Sequence, residues 1–242
     1  VELYPAIDIR DGRSVRLLKG DFDAETVYHD DPVAVARSYA EAGAQWIHVV
    51  DLDAARTGEP VNRAIIANIC TAVPCSVQVG GGVRTRDVAD ALIDAGVARV
   101  VVGTAAVTDP EWVAALCAHT PGAVAIGLDA RGSNVAIHGW EADGGADLLE
   151  LAAHWSDVGA GALIVTEIGR DGTLAGPDTD QLGAVLAVAD IPVIASGGVG
   201  SLDDLRALHA LSVADKTLSG AIVGRALADE QFSVADALAT LA

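Results

Sequence analysis

Eight short runs of apolar, largely β-branched residues punctuate the chain at 3–8, 46–51, 76–80, 99–103, 124–129, 162–167, 192–196 and 220–224. Stretches with helical spacing follow them near 32–42, 62–72, 85–95, 109–119, 147–158, 179–189, 201–211 and 233–241. In such an alternation each helix carries the chain back to start the next strand in the same direction, so the sheet is parallel. Eight units of this kind predict an α/β fold, a (β/α)8 TIM barrel, with an open doubly wound sheet as the alternative. The punctuation agrees. Asp31-Pro32 and Asp109-Pro110 place an acceptor before a first-turn proline, Ser201 precedes Asp203 and Asp204, and Ala42-Gly43 and Ala95-Gly96 read as helix ends.

The two halves of the chain also echo each other. Gly81-Gly82-Val83 with Asp87 returns 116 positions later as Gly197-Gly198-Val199 with Asp203, and Val102-Gly103 returns 121 later as Val223-Gly224. Asp8 ends the run Leu-Tyr-Pro-Ala-Ile-Asp, and Asp129, again 121 later, ends Val-Ala-Ile-Gly-Leu-Asp. The expectation is one barrel domain over 1–242 with an internal twofold repeat, its half-barrels roughly 1–121 and 122–242.

A net charge of −19 argues against nucleic acid and anionic membranes as partners, since the long-range field repels both. It fits solubility or a salty or acidic habitat equally well. No apolar run is long enough to span a bilayer, and no basic-then-apolar leader opens the chain, so a cytoplasmic location is expected. Cys70, Cys75 and Cys117 are odd in number and lack metal-ligand spacing; they suit a reducing compartment and predict no metal site.

In such a barrel the chemistry sits on the loops that follow the strands. A carboxylate ending a buried strand is costly unless it emerges into a polar site, so Asp8 and Asp129 are expected to face one another across the mouth as acid and base. The structural alternative pairs them with Arg10 and Arg131, each two residues downstream. Gly81, Gly82, Gly103 and Thr104 in one half, and Gly197, Gly198, Gly224 and Arg225 in the other, suit backbone cradles for two phosphates. One such pair is equally explained by tight turns; two matched pairs favour phosphate. The segment 10–31, with Arg13, Arg16 and Lys19, reads as a lid over an anion or as a solvated loop. In 131–145, Trp140 either stacks on a planar substrate or packs within the loop. Thr166 is placed to bond substrate or orient a carboxylate, and Asp171, beside the turn residue Gly172, is a candidate supporting acid. His48 reads as an inward polar group or, slightly ahead, as a satisfied core histidine. No Ser-His-Asp set, His-Cys cluster or dinucleotide fingerprint supports acyl transfer, zinc chemistry or hydride transfer.

Taken together, Pro5-Ala6-Ile7-Asp8, Arg16-Leu17-Leu18-Lys19-Gly20, Asp30-Asp31-Pro32 and His48-Val49-Val50-Asp51-Leu52-Asp53 resemble the phosphoribosylformimino-aminoimidazole carboxamide ribotide isomerases of histidine biosynthesis. So do Gln78-Val79-Gly80-Gly81-Gly82-Val83-Arg84, Gly139-Trp140, Thr166-Glu167-Ile168, Asp171-Gly172-Thr173, Ser196-Gly197-Gly198-Val199 and Ile222-Val223-Gly224-Arg225. The resemblance covers nearly the whole chain in order. It implies an Amadori rearrangement of an aminoaldose to an aminoketose, on a substrate with two phosphates, without metal or organic cofactor and in a monomer. It implies Asp8 as proton acceptor and Asp129 as donor, with Thr166 and Asp171 supporting, and it adds Arg84 and Gly172 to the binding positions.

Three alternatives stand beside it. The cyclase subunit of imidazole glycerol phosphate synthase shares the paired acids but opens with Cys-Leu-Asp where this chain has Ala-Ile-Asp. A bifunctional isomerase that also takes phosphoribosylanthranilate has Ser-Gly-Gly and a loop arginine where this chain has Gly80-Gly81-Gly82 and His138. A phosphate-binding sensor without turnover would be expected to have lost Asp8 or Asp129.

Overall fold

The computed structural model describes residues 1–242 except Lys19, His138 and Glu141, and the backbone but not the side chain of Asp143. Eight strands form its centre: β1 (Glu2–Arg10), β2 (Trp46–Asp51), β3 (Ser76–Gly80), β4 (Arg99–Val102), β5 (Val124–Arg131), β6 (Ala162–Glu167), β7 (Val193–Ser196) and β8 (Gly220–Val223). Each pairs in parallel with the next, and β8 returns to β1 with Tyr4 opposite Ile222, so the sheet is a closed (β/α)8 barrel. The principal helices, from Pro32–Glu41 to Val234–Leu241, occupy the intervals that the apolar periodicity marked out.

Strand parity divides the core into two compartments. Leu3, Ile7 and Ile9 of β1 point outward to the helices, where Trp155 and most of the large aliphatic side chains are buried. Tyr4 and Ala6 point inward with Ala125, Ala162, Ile164, Ile194 and Ile222. The next inward position on β1 is Asp8, above this apolar plug and at the C-terminal mouth.

Caps set several of the helix starts. The Asp31 carboxylate accepts from the N–H groups of Val33 and Ala34 ahead of Pro32, and Ser201 forms a reciprocal capping box with Asp204. Asp109 departs from expectation: it precedes Pro110 but makes no side-chain cap bond, because its backbone (φ −148°, ψ 65°) turns out of the short helix Thr104–Thr108 that ends there.

The two segments read as loops are β-structure. Residues 10–31 contain the strands Arg13–Leu18 and Asp21–His29, and residues 131–145 contain Asn134–Ile137 and the start of Ala142–Asp147. In each half the barrel strand itself runs on and folds back through a two-residue turn, Asp11-Gly12 (φ 48° and 76°) or Gly132-Ser133. Val15 and Leu17 alternate inward and are buried with Leu52, which supplies the apolar contact that a solvated loop would lack.

Candidate active site

Asp8 and Asp129 occupy equivalent inward positions on β1 and β5 but are held by different means. The Asp8 carboxylate forms an ion pair with Arg16 at 2.9 Å. Arg16 lies on the strand folded back along β1; its guanidinium also donates to the Ala6 carbonyl and rests against Gly224, where an added Cβ would lie 2.9 Å from its carbon. The structural alternative drawn from the sequence therefore had the wrong partner. Arg10 turns outward to Glu25 at 2.7 Å and to the Phe22 carbonyl, and Arg131 donates to the Trp140 carbonyl. Strand parity is the reason: residues two apart share a face, but Arg10 lies beyond the barrel rim while Arg16 is brought back to Asp8 by the fold-back.

Asp129 forms no ion pair with another described residue. Burial raises its pKa, opposed by hydrogen bonds that its carboxylate accepts from the side chains of Trp140 and Thr166. Thr166 is the register partner of Asp129 across β5–β6 and is buried, so it orients the carboxylate. Asp171, on the loop after β6, feels both acids. Burial first, then the charge of Asp8, raises its pKa to about 7; Asp129 adds to the rise, while Arg16 and the Gly172 N–H oppose it. The sequence presented Asp171 as a supporting acid; the structure places it within the electrostatic reach of both others.

The glycine loops flank these acids. Gly103 and Gly224 adopt matching backbone angles (φ −100°, ψ −95° and φ −109°, ψ −86°) and open the short helices Thr104–Thr108 and Arg225–Ala228, with no side-chain cap on either. Gly81 and Gly82 have positive φ, and a Cβ on either would lie 2.2 Å from the Asp51 carbonyl oxygen or 2.6 Å from Ala54. A Cβ on Gly198 would meet the Gly176 carbonyl at 2.3 Å. Close packing against neighbouring backbone thus accounts for glycine at these three positions, and what they offer a ligand is backbone.

Other candidates are committed elsewhere. Arg84 is exposed and donates to the Ala55 carbonyl at 2.7 Å. Arg225 spans Asp229 at 2.9 Å and the Gly172 carbonyl at 2.6 Å, and Asp229 accepts from the Tyr28 hydroxyl. Lys19, like His138, lies outside the described residues. His48 is buried, with Nδ1 2.9 Å from the Gln78 amide nitrogen; burial, then Arg16 and Arg99, lower its pKa to about 3.

Above the acids the two β-extensions meet. Trp140 sits at φ 73°, a strained conformation for a large side chain, and a Cβ on Gly20 would lie 2.5 Å from its ring. Arg56, Arg131, Phe22 and Trp140 line a cavity of about 320 Å³ between the tips. The fold-back turns are pinned to the barrel. Asn62 accepts from the Gly12 N–H and donates to Asp51 and Asp53 at 2.8 and 2.7 Å; Gln181 donates to the Gly132 carbonyl and to Glu167, which accepts from the Gly132 N–H. Asn62 and Gln181 carry no motif in the sequence, and only the pairing of the turns exposes their role.

A closed barrel whose mouth gathers three carboxylates between two uncapped glycine loops defines a TIM-barrel protein built for proton transfer on a small molecule. The chain matches the histidine biosynthesis protein family over residues 2–233, and it belongs to that family. It is 48% identical over 240 residues to a protein of Rhodospirillum rubrum, covering 99% of each chain. A protein of Synechococcus elongatus is 51% identical over 227 residues (94% of this chain, 88% of the relative), and one of Paracoccus denitrificans is 46% identical over 240 residues (99% of each). All three are named as imidazole-4-carboxamide isomerases whose substrate bears two 5-phosphoribosyl groups. Among the described residues no helix is long and apolar enough to cross a membrane.

Proposed function

We propose that this protein is the aldose–ketose isomerase of histidine biosynthesis that converts phosphoribosylformimino-aminoimidazole carboxamide ribotide to its ketose by an Amadori rearrangement. The observation that carries the mechanism is the unequal treatment of two equivalent acids. Asp129, half-buried, with no ion pair to a described residue and with its pKa raised by desolvation, has its neutral form favoured and is assigned to give a proton. Asp8, set against Arg16 at 2.9 Å, is the carboxylate able to take one.

Asp129 protonates the ribose ring oxygen, and the ring opens to a Schiff base. Asp8 removes the C2′ proton, and the resulting enolamine tautomerises to the ketose. Asp171, its pKa raised to about 7 by burial and by the charge of Asp8, supports the step as a nearby group that holds a proton in the field of both acids. One substrate phosphate rests at Gly103-Thr104 beside Gly81-Gly82, the other at Gly224-Arg225 beside Gly197-Gly198. Such local donors let an anionic substrate bind a chain of net charge −19. The reading is of a cytoplasmic monomer that uses no cofactor.

Steady-state turnover of the formimino-carboxamide ribotide and of phosphoribosylanthranilate tests this. The first alone is expected to react, and Asp8→Asn and Asp129→Asn are each expected to lower kcat by about 10²–10⁴-fold with the fold intact by circular dichroism. Wild-type rates in either variant would sink the assignment. Turnover of both substrates would mark a bifunctional enzyme.

A further inference from the structure

Beneath the acids, one side of the barrel interior is polar. His48, Gln78 and Arg99 are register neighbours across β2, β3 and β4, and Ala6 opposite His48 extends the row to β1. All three polar residues are buried, with exposures of 9%, 0% and 7%. Arg99 donates through Nε to Gln78 Oε1 at 3.0 Å and through Nη2 to the Tyr4 hydroxyl at 2.9 Å. It has no carboxylate partner among the described residues. Its guanidinium instead lies 4.4 Å from the Trp46 ring centroid and 5.7 Å from that of Tyr4, so two π-faces share the charge.

The direction of these hydrogen bonds fixes where a proton sits. A guanidinium only donates, so the Gln78 atom facing Arg99 must be the amide oxygen. The other end of that amide is then NH₂, also a donor, and it lies 2.9 Å from His48 Nδ1. His48 Nδ1 must therefore be the unprotonated, accepting nitrogen, and a neutral ring carries its hydrogen on Nε2. Nε2 makes no hydrogen bond to another described residue, and His48 keeps 9% of its surface exposed.

We propose that Arg99 and Gln78 are positioning residues, which act through the Gln78 amide to fix the tautomer of His48 so that it presents an Nε2–H donor to an acceptor oxygen of the substrate. This rests on the isomerase reading for the identity of the ligand, while the tautomer itself stands apart from it. The depressed pKa of His48 is consistent with a ring that stays neutral. Neutrality also explains why a buried arginine is tolerated two strands away.

The deciding variant is Gln78→Glu. A carboxylate there pairs with Arg99, which supports folding, but it can only accept from His48, so the proton is drawn to Nδ1. With ¹⁵N-histidine-labelled protein, His48 (assigned by its loss in His48→Asn) is expected to show a pyridine-type Nδ1 and an N–H Nε2 in the wild type. In Gln78→Glu the pattern is expected to reverse, with kcat/KM at least tenfold lower. Gln78→Met, which neither donates nor accepts at that site, is expected to fall between them. The proposal is overturned by an Nδ1–H ring in the wild type, by an unchanged tautomer in folded Gln78→Glu, or by a reversed tautomer with wild-type kcat and KM. Because the spectra need no substrate, an inactive wild type would count against the isomerase reading and still leave the tautomer comparison to decide the role of Arg99 and Gln78.

Discussion

The β1–β4 half of the barrel holds its acid with a cation, and the β5–β8 half holds its acid with two neutral donors. Asp8 has Arg16; Asp129 has Trp140 and Thr166. Strand position is equivalent, so the difference comes from what each β-extension returns to the mouth: a guanidinium from one, an indole and its strained backbone from the other. Matched backbones can therefore surround two equivalent carboxylates with different partners, an ion pair at one and desolvation with neutral donors at the other.

The comparison is most sharply broken at Arg16. Arg16→Met leaves Asp8 largely buried without its counter-charge. A loss of about 3 kcal/mol in unfolding free energy is expected, together with a loss of turnover, read from urea denaturation and steady-state kinetics. The corresponding change in the other half is smaller. Trp140→Phe removes an indole donor that favours the charged form of Asp129, so the acid's pKa rises further. The descending alkaline limb of the kcat/KM profile should then move up by about one unit. A limb that moved down would reverse the assignment of Asp129 as acid.

A third effect, on stability alone and dependent on pH, concerns the group between the halves. The pKa of Asp171 is raised to about 7 from an ordinary 3.8, so the folded state binds its proton more tightly than the unfolded chain does. Its contribution is greatest at pH values below the unfolded pKa and is lost as pH climbs through the folded one. Asp171→Asn should accordingly raise Tm at pH 8, by about 2–4 °C for each kcal/mol relieved, relative to its effect at pH 4. Differential scanning calorimetry at the two pH values checks the sign.

The barrel was legible because strand period, cap chemistry and helix spacing all point the same way. Asp8 and Asp129 were legible because an acid at the end of an apolar run is costly in any other place. The β-extensions were not, since Arg13–Leu18 buries only half its residues and the strand Asp21–His29 buries none fully. His48 was read as either core or site; it is a buried residue with one nitrogen spent on Gln78. Arg99 escaped notice because an arginine at the start of a strand looks like a rim residue, and only closure of the barrel turns it inward onto Tyr4 and Trp46.

The pins at Asn62 and Gln181 bear on how the mouth can open. Each extension is clamped where it leaves the barrel, and among the described residues Gly20 of one lies against Trp140 of the other at the far tip. A hairpin held at its heel is a short lever, so any rotation at the clamp would displace the tip most. Breaking a clamp would lengthen the lever and loosen what the extension returns to the mouth, slowing the protein at every substrate concentration without touching an acid.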